Sequence, residues 1–146
     1  MATEPDESQS PASAESLQQL REVRRALLHL HKTLLDAERV RYERLNGRVE
    51  GGPLLQLVIH DPWFSWLRPL SALMVQIDET LDADEPVTAR AVMNLLLQVR
   101  LLLRPAESGD VFQENYYSAL QDTPDVVIAH RGVTRLLPAR DDPAAS

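Results

Sequence analysis

A single apolar pattern with helical spacing dominates the first third of the sequence. Its members recur at alternating intervals of three and four residues: Leu20, Val23, Leu27, Leu30, Leu34 and Ala37. This spacing places them on one face of an α-helix and predicts one long helix over residues 14–45. Asn46-Gly47 follows and supplies the left-handed conformation at which helices commonly end. Other helices are needed to cover this apolar face.

Three further segments are predicted to be helical. The apolar stripe of residues 62–82 is interrupted at Pro69, where the missing backbone N–H predicts a kink or a break. Residues 86–104 and a broken pair of helices over residues 110–137 follow, whereas residues 54–59 are predicted to form only a connecting turn or two. Short turns between long amphipathic helices favour antiparallel neighbours. We therefore expect an all-α fold, an antiparallel up-down bundle of four to five helices with disordered termini.

The composition of the two ends predicts where the domain begins and ends. Residues 1–13 and 138–146 are rich in Pro, Ser, Ala and acidic side chains, and they hold few large apolar ones. Such segments do not bury enough surface to offset their ordering entropy, so we expect disordered tails. Residues 14–137 then form a single domain, which is long enough to bury a core.

Composition also limits the classes of function. The chain has no cysteine, and it holds neither a secretory N-terminus nor an apolar run of membrane-spanning length. These features favour a cytoplasmic protein without a membrane partner. The net charge of -7 argues against nucleic acid as a partner, because phosphate backbones need a positive surface.

A column of side chains at seven-residue intervals flanks the apolar face of the first helix. Its polar members, together with Arg41 on the face itself, are predicted to be half desolvated and therefore to need partners. One interpretation is a row of ion pairs that sets the register of the helices. A second is the polar wall of a small-ligand pocket, and a third is an interface with another protein. The candidate pocket residues are Arg24, His31, Glu38 and Arg41.

Metal, cofactor and catalytic patterns are not found in the sequence. The histidines lack the His-x-x-x-His and Glu-x-x-His spacings, and His31 and Glu38 are about 10 Å apart along a helix axis. No serine lies in a Gly-x-Ser-x-Gly elbow, and no Gly-rich phosphate loop is present. We therefore expect no cofactor, and nothing in the sequence requires an enzyme.

The run IHDPWFSWLRP contains both tryptophans and one of the two phenylalanines. Asp61 is predicted to cap a new helix with Pro62 in its first turn. The two tryptophans, three residues apart, predict core packing. In the alternative interpretation Phe64 lies at the surface beside Arg68, with His60 at the rim, and binds a partner protein. A ligand pocket is the third possibility.

The segment AVMNLLLQVRLLL, residues 91–103, is apolar on nearly every side. Such a helix is either central in its own bundle or covered by a second subunit. In the second case Leu97 and Leu101 are the candidate interface residues of a homodimer.

The run IHDPWFSWLRP, with its continuation LSALMVQIDE, resembles one carried by small bacterial all-helical proteins with no assigned activity. The resemblance covers residues 54–103 and implies a bacterial, all-helical domain. The sequence thus favours a non-catalytic interaction module that self-associates and binds another protein. The alternative is a bundle that binds a small ligand or a metal in a polar pocket near His31 and Glu38.

Overall fold

The computed structural model describes residues 9–48, 51–106 and 108–138, and the regular elements in these ranges are helices. The α-helices are α1 (Ala14–Asn46), α2 (Gly51–His60), α3 (Arg68–Leu81), α4 (Ala89–Leu102), α5 (Val111–Asp122) and α6 (Pro124–Thr134), and a 3-10 helix (Pro62–Leu67) precedes α3. The predicted all-α class is confirmed. The up-down arrangement and the number of helices within it stay a prediction.

Helix α1 is the central element of the fold. It packs against α3, α4, α6 and the 3-10 helix. The side chain of Ser13 accepts a hydrogen bond from the backbone N–H of Ser16 at its start, and Gly47, with φ 85°, ends it after Asn46. The predicted long helix and its stop are therefore confirmed. Five members of its apolar stripe are fully buried: Leu20, Val23, Leu27, Leu30 and Leu34.

Two neighbours of α1 run antiparallel to it. Arg24 of α1 bonds to Asp78 of α3, and His31, further along α1, contacts Ser71 at the opposite end of α3. Helix α6 also runs antiparallel to α1. The side-chain amide of Gln19, near the start of α1, donates a hydrogen bond to the carbonyl of Leu136, just after the end of α6. These contacts fix the register of both pairs.

The segment 62–82, predicted to be helical with a kink or a break at Pro69, is divided into a 3-10 helix and helix α3. Asp61 accepts a hydrogen bond from the Trp63 backbone N–H at 2.8 Å, so the predicted cap is confirmed, but it begins a 3-10 helix. Helix α3 then starts with Pro69 in its first turn, where no N–H is needed. The predicted break at Pro69 is confirmed. The prediction for residues 54–59 is wrong, because they belong to helix α2.

The ends of the domain are also shifted. Ala12 donates its backbone N–H to Val87 at 2.8 Å, and Ala89 donates to Ser10 at 2.7 Å. Residues 10–12, which the sequence assigns to the N-terminal tail, therefore lie against the chain before α4; residues 1–8 and 139–146 of the predicted tails lie outside the described residues. Thr88 caps α4, which consequently begins at Ala89 rather than at residue 86.

Candidate functional site

The first two members of the polar column connect α1 to α3. Arg24 donates two hydrogen bonds to the Asp78 carboxylate, Nε to Oδ1 at 2.8 Å and Nη2 to Oδ2 at 2.9 Å. These hydrogen bonds lower the pKa of Asp78 and raise that of Arg24. His31 lies with Nε2 2.9 Å from the Ser71 hydroxyl, and its partial burial lowers the pKa of the imidazole. Both contacts fix the register of α1 against α3.

The other two candidate pocket residues contact each other. Glu38 is buried, and its Oε1 accepts a hydrogen bond from Nη1 of Arg41 at 2.9 Å. The Arg41 guanidinium also lies 5.6 Å from the centroid of the Trp63 ring. Arg41, predicted to lie on the apolar face, is in fact exposed. Glu38 is buried because it follows Leu20 by about five helical turns and so lies on the same face.

The structure does not bring these four side chains together. Arg24 and His31 contact α3, whereas Glu38 and Arg41 pair near the C-terminal end of α1. None of the four lines any of the four main grooves of the described chain. Arg24 and His31 therefore have the geometry of contacts that hold α1 and α3 in register, whereas Glu38 and Arg41 pair within α1.

The aromatic run packs inward on both sides of the 3-10 helix. Phe64 is 2% exposed, and its ring centroid lies 5.7 Å from that of Tyr42 on α1. Tyr42 also meets the edge of Trp63 at 5.8 Å, and Trp66 packs 5.5 Å from Phe112 on α5. A 3-10 helix advances about 120° per residue, so Trp63 and Trp66 share one face and Phe64 lies on another. Tyr42 covers that second face.

The surface predicted to bind a partner protein therefore does not include Phe64. The interpretation that places Phe64 at the surface is wrong, because Tyr42 covers its ring. His60 and Arg68 are exposed, and His60 lines a groove of about 690 Å³ with Pro53 and Leu57 of α2. With Phe64 buried, His60 and Arg68 lack the aromatic residue that this interpretation placed beside them as the central apolar contact.

Helix α4 divides its apolar residues between the core and the solvent. Val92, Leu95, Leu96 and Val99 are buried. On the opposite side Met93, Leu97 and Leu101 are 57%, 52% and 53% exposed, at intervals of four residues. We refer to these three residues as the α4 stripe. Both candidate interface residues thus lie at the surface, and Met93, which was not predicted, extends them by one turn.

The α4 stripe borders a groove of about 550 Å³ between α4 and the C-terminal part of α6, which we refer to as the α4 groove. Leu96, Leu103 and Leu137, all buried, contribute apolar side chains to its lining. Arg100 and Arg104 are its cationic members, and Arg100 also donates a hydrogen bond to the Pro138 carbonyl. The groove combines an apolar surface with positive charge.

His130 of α6 lines the same groove and contacts a buried tyrosine. Its Nδ1 lies 2.6 Å from the Tyr116 hydroxyl oxygen on α5. Desolvation raises the pKa of Tyr116, which is fully buried, and lowers the pKa of His130, which is half-buried. Sequence reasoning did not predict this pair, because its members lie on separate helices and no local pattern relates them.

The described residues hold no cluster of metal-binding side chains and no membrane-spanning helix. Among residues 9–48, 51–106 and 108–138, no three His, Cys, Asp or Glu side chains are grouped so that they could hold a metal ion. The helices in these ranges are too short or too polar to cross a membrane. Comparisons of the chain with family models, curated proteins and solved structures find no match. The function must therefore be inferred from the geometry of the chain itself.

Proposed function

We propose that this protein is a non-catalytic helical interaction module whose main docking surface is the α4 stripe. One observation supports the proposal above others: Met93, Leu97 and Leu101 form a continuous apolar row, and each is more than half exposed. Exposed apolar surface of this kind, with polar residues around it, marks protein interaction sites. The adjoining groove adds a concave surface into which a partner side chain fits.

The scaffold of this function, in our proposal, is a cytoplasmic up-down bundle of bacterial origin. Its support is the antiparallel register of α3 and α6 along α1, together with a chain free of cysteine. The buried stripe of α1 makes such a scaffold rigid, because a close-packed helix interior resists deformation. A rigid scaffold presents the α4 stripe without a large ordering cost on binding.

The partner is either a second copy of this chain or another protein. In a homodimer, Leu97 and Leu101 lie at the interface, and sedimentation velocity at micromolar to submillimolar concentration should show a species of twice the monomer mass. Leu97→Glu should then return the protein to the monomer, because a buried unpaired charge is costly. A wild-type monomer throughout this range would remove the homodimer and leave only another protein as the partner.

Photo-crosslinking in the protein's own host cells tests the proposed function directly. A photoreactive amino acid at position 97 should give discrete cross-linked products. The matched control is position 75, since Val75 of α3 is 53% exposed and Leu97 is 52% exposed. Products that are no more abundant from position 97 than from position 75 would remove the support for the α4 stripe as a docking surface.

A ligand or metal pocket near His31 and Glu38 has weaker support. His31 contacts Ser71, and Glu38 is paired with Arg41. Neither side chain lines any of the four main grooves of the described chain. No observation on these two residues favours a ligand over a structural role.

A further inference from the structure

The two segments that border the groove carry a charge opposite to that of the whole chain. Residues 90–104 and 126–138 contain five arginines and neither Asp nor Glu, although the chain holds 22 acidic residues and has a net charge of -7. The acidic residues all lie elsewhere. The arginines are Arg90, Arg100, Arg104, Arg131 and Arg135. Of these, Arg100 and Arg104 line the groove itself, and cationic side chains beside an apolar surface favour an occupant that carries carboxylates.

His130 adds a directed hydrogen-bond donor to this groove. The Tyr116 hydroxyl is buried, and Nδ1 of His130 is its hydrogen-bond partner in the described chain. A buried hydroxyl that donates nowhere is costly, so the phenol donates and Nδ1 accepts. The proton of the neutral imidazole is then on Nε2. Nε2 has no hydrogen-bond partner among the described residues, so it is available to donate to an acceptor in the groove.

From these observations we propose that the occupant of the α4 groove is an acidic amphipathic helix of another protein. This inference rests on the proposed function. The α4 stripe spans nine residues from Met93 to Leu101, about 12 Å along its helix, which matches two turns of a partner helix. Helices that dock in grooves present apolar side chains at i, i+4 and i+7. Carboxylates beside that apolar row would face Arg104 and the Nε2–H of His130.

A second copy of this chain fits the same surface less well. If two α4 helices pair antiparallel about Leu97, Met93 lies opposite Leu101 of the second copy, and Arg90 lies opposite its Arg104. A parallel pair places Arg100 opposite Arg100. Either arrangement brings like charges together, which disfavours association. The charge of α4 therefore selects an acidic partner over the chain itself.

Two synthetic helical peptides serve as probes for this proposal. Both carry leucines at i, i+4, i+7 and i+11, and the flanking positions are Glu in one peptide and Lys in the other. We expect the full-length protein to bind the Glu peptide at least about tenfold more tightly in fluorescence anisotropy at low salt. The preference should shrink at about 0.5 M salt, where screening is strong.

Two charge-reversal variants test whether the preference for the Glu peptide depends on the arginines of the groove. Arg104→Glu should reduce the preference for the Glu peptide at least about fivefold. Arg25→Glu changes the net charge by the same amount on the exposed side of α1, so it should retain the preference. Circular dichroism of both variants verifies that they fold.

Three outcomes would overturn the proposal. These are equal binding of the two peptides, equal effects of the Arg104 and Arg25 variants, and a homodimer that buries Leu97. Cross-linking from position 97 is measured independently of the peptides. A failure of the acidic-helix proposal is therefore distinguishable from a failure of the α4 stripe as a docking surface.

Discussion

Tyr116 and His130 form a hydrogen bond between α5 and α6, with 2.6 Å between the phenol oxygen and Nδ1. Phe112 stacks on Tyr116 from the preceding turn of α5, with ring centroids 5.5 Å apart. The hydroxyl lies in a fully buried position, so it depends on this one partner. The pair connects the core of the domain to the wall of the α4 groove.

Replacing Tyr116 by Phe should destabilise the protein although the ring is kept. The variant leaves Nδ1 of His130 without its donor, which costs about 1–2 kcal/mol in the free energy of unfolding. Urea denaturation measures this difference. The matched control is Tyr117→Phe on the same helix, because Tyr117 makes no side-chain hydrogen bond in the described chain and is half-buried. Equal stability of the two variants would contradict the importance of the bond.

The free energy of unfolding should fall as the pH is lowered from 7 to 5. Burial lowers the pKa of both His31 and His130 in the folded protein, so the unfolded chain binds protons first. The two neutral imidazoles contribute fully to the free energy of unfolding above about pH 6.5, the pKa of histidine in the unfolded chain. This contribution decreases as the pH falls toward the pKa values of the folded protein, and it is constant at still lower pH. Chemical denaturation at several pH values measures this slope.

Variants separate this slope from that of the carboxylates. His31→Gln should reduce it, and the control His29→Gln replaces a histidine on the exposed side of the same helix. Asp78, whose pKa is lowered by the hydrogen bonds from Arg24, loses its contribution to stability only as the pH falls below 3.8, the ordinary pKa of an aspartate. A stability that does not change between pH 7 and 5 would contradict the burial of the two imidazoles.

Removing Arg41 should cost more than removing Glu38. Arg41→Met leaves a buried carboxylate without its cation, at a cost of about 2 kcal/mol in the free energy of unfolding, whereas Glu38→Met places an apolar side chain in an apolar site. The double variant should therefore be more stable than Arg41→Met alone. Thermal and urea denaturation of the three proteins measure the order. The reverse order would show that the carboxylate is solvated.

Phe64→Ala should destabilise the protein far more than Leu97→Ala. Phe64 is buried against Tyr42, and deleting such a ring costs about 3–5 kcal/mol, whereas a change at an exposed position stays within about 0.5 kcal/mol. Urea denaturation gives both values. A small effect at Phe64 would instead support the exposed position that the sequence allowed for it.

The sequence correctly predicted those helical features that are determined by residues close together along the chain. The α1 period, the Asn46-Gly47 stop and the Asp61 cap are determined within one or two turns of the chain, because hydrogen bonds and side-chain direction in a helix are local. The buried Glu38 was also predictable, since helical rotation returns it to the face of Leu20. Helix α2 was missed because its apolar segment, residues 54–59, is only six residues long, too short for its period to be unambiguous.

The sequence by itself determined an all-helical chain with a long central helix and a surplus of apolar residues in α4. Only the tertiary structure decided that Tyr42 covers Phe64, that His130 meets Tyr116, and that Leu97 lies outside while Leu96 lies inside. Each of these contacts joins residues on different elements or depends on which face another element covers. The period of the sequence identifies the apolar face of a helix. How much of that face is buried depends on which other helices pack against it.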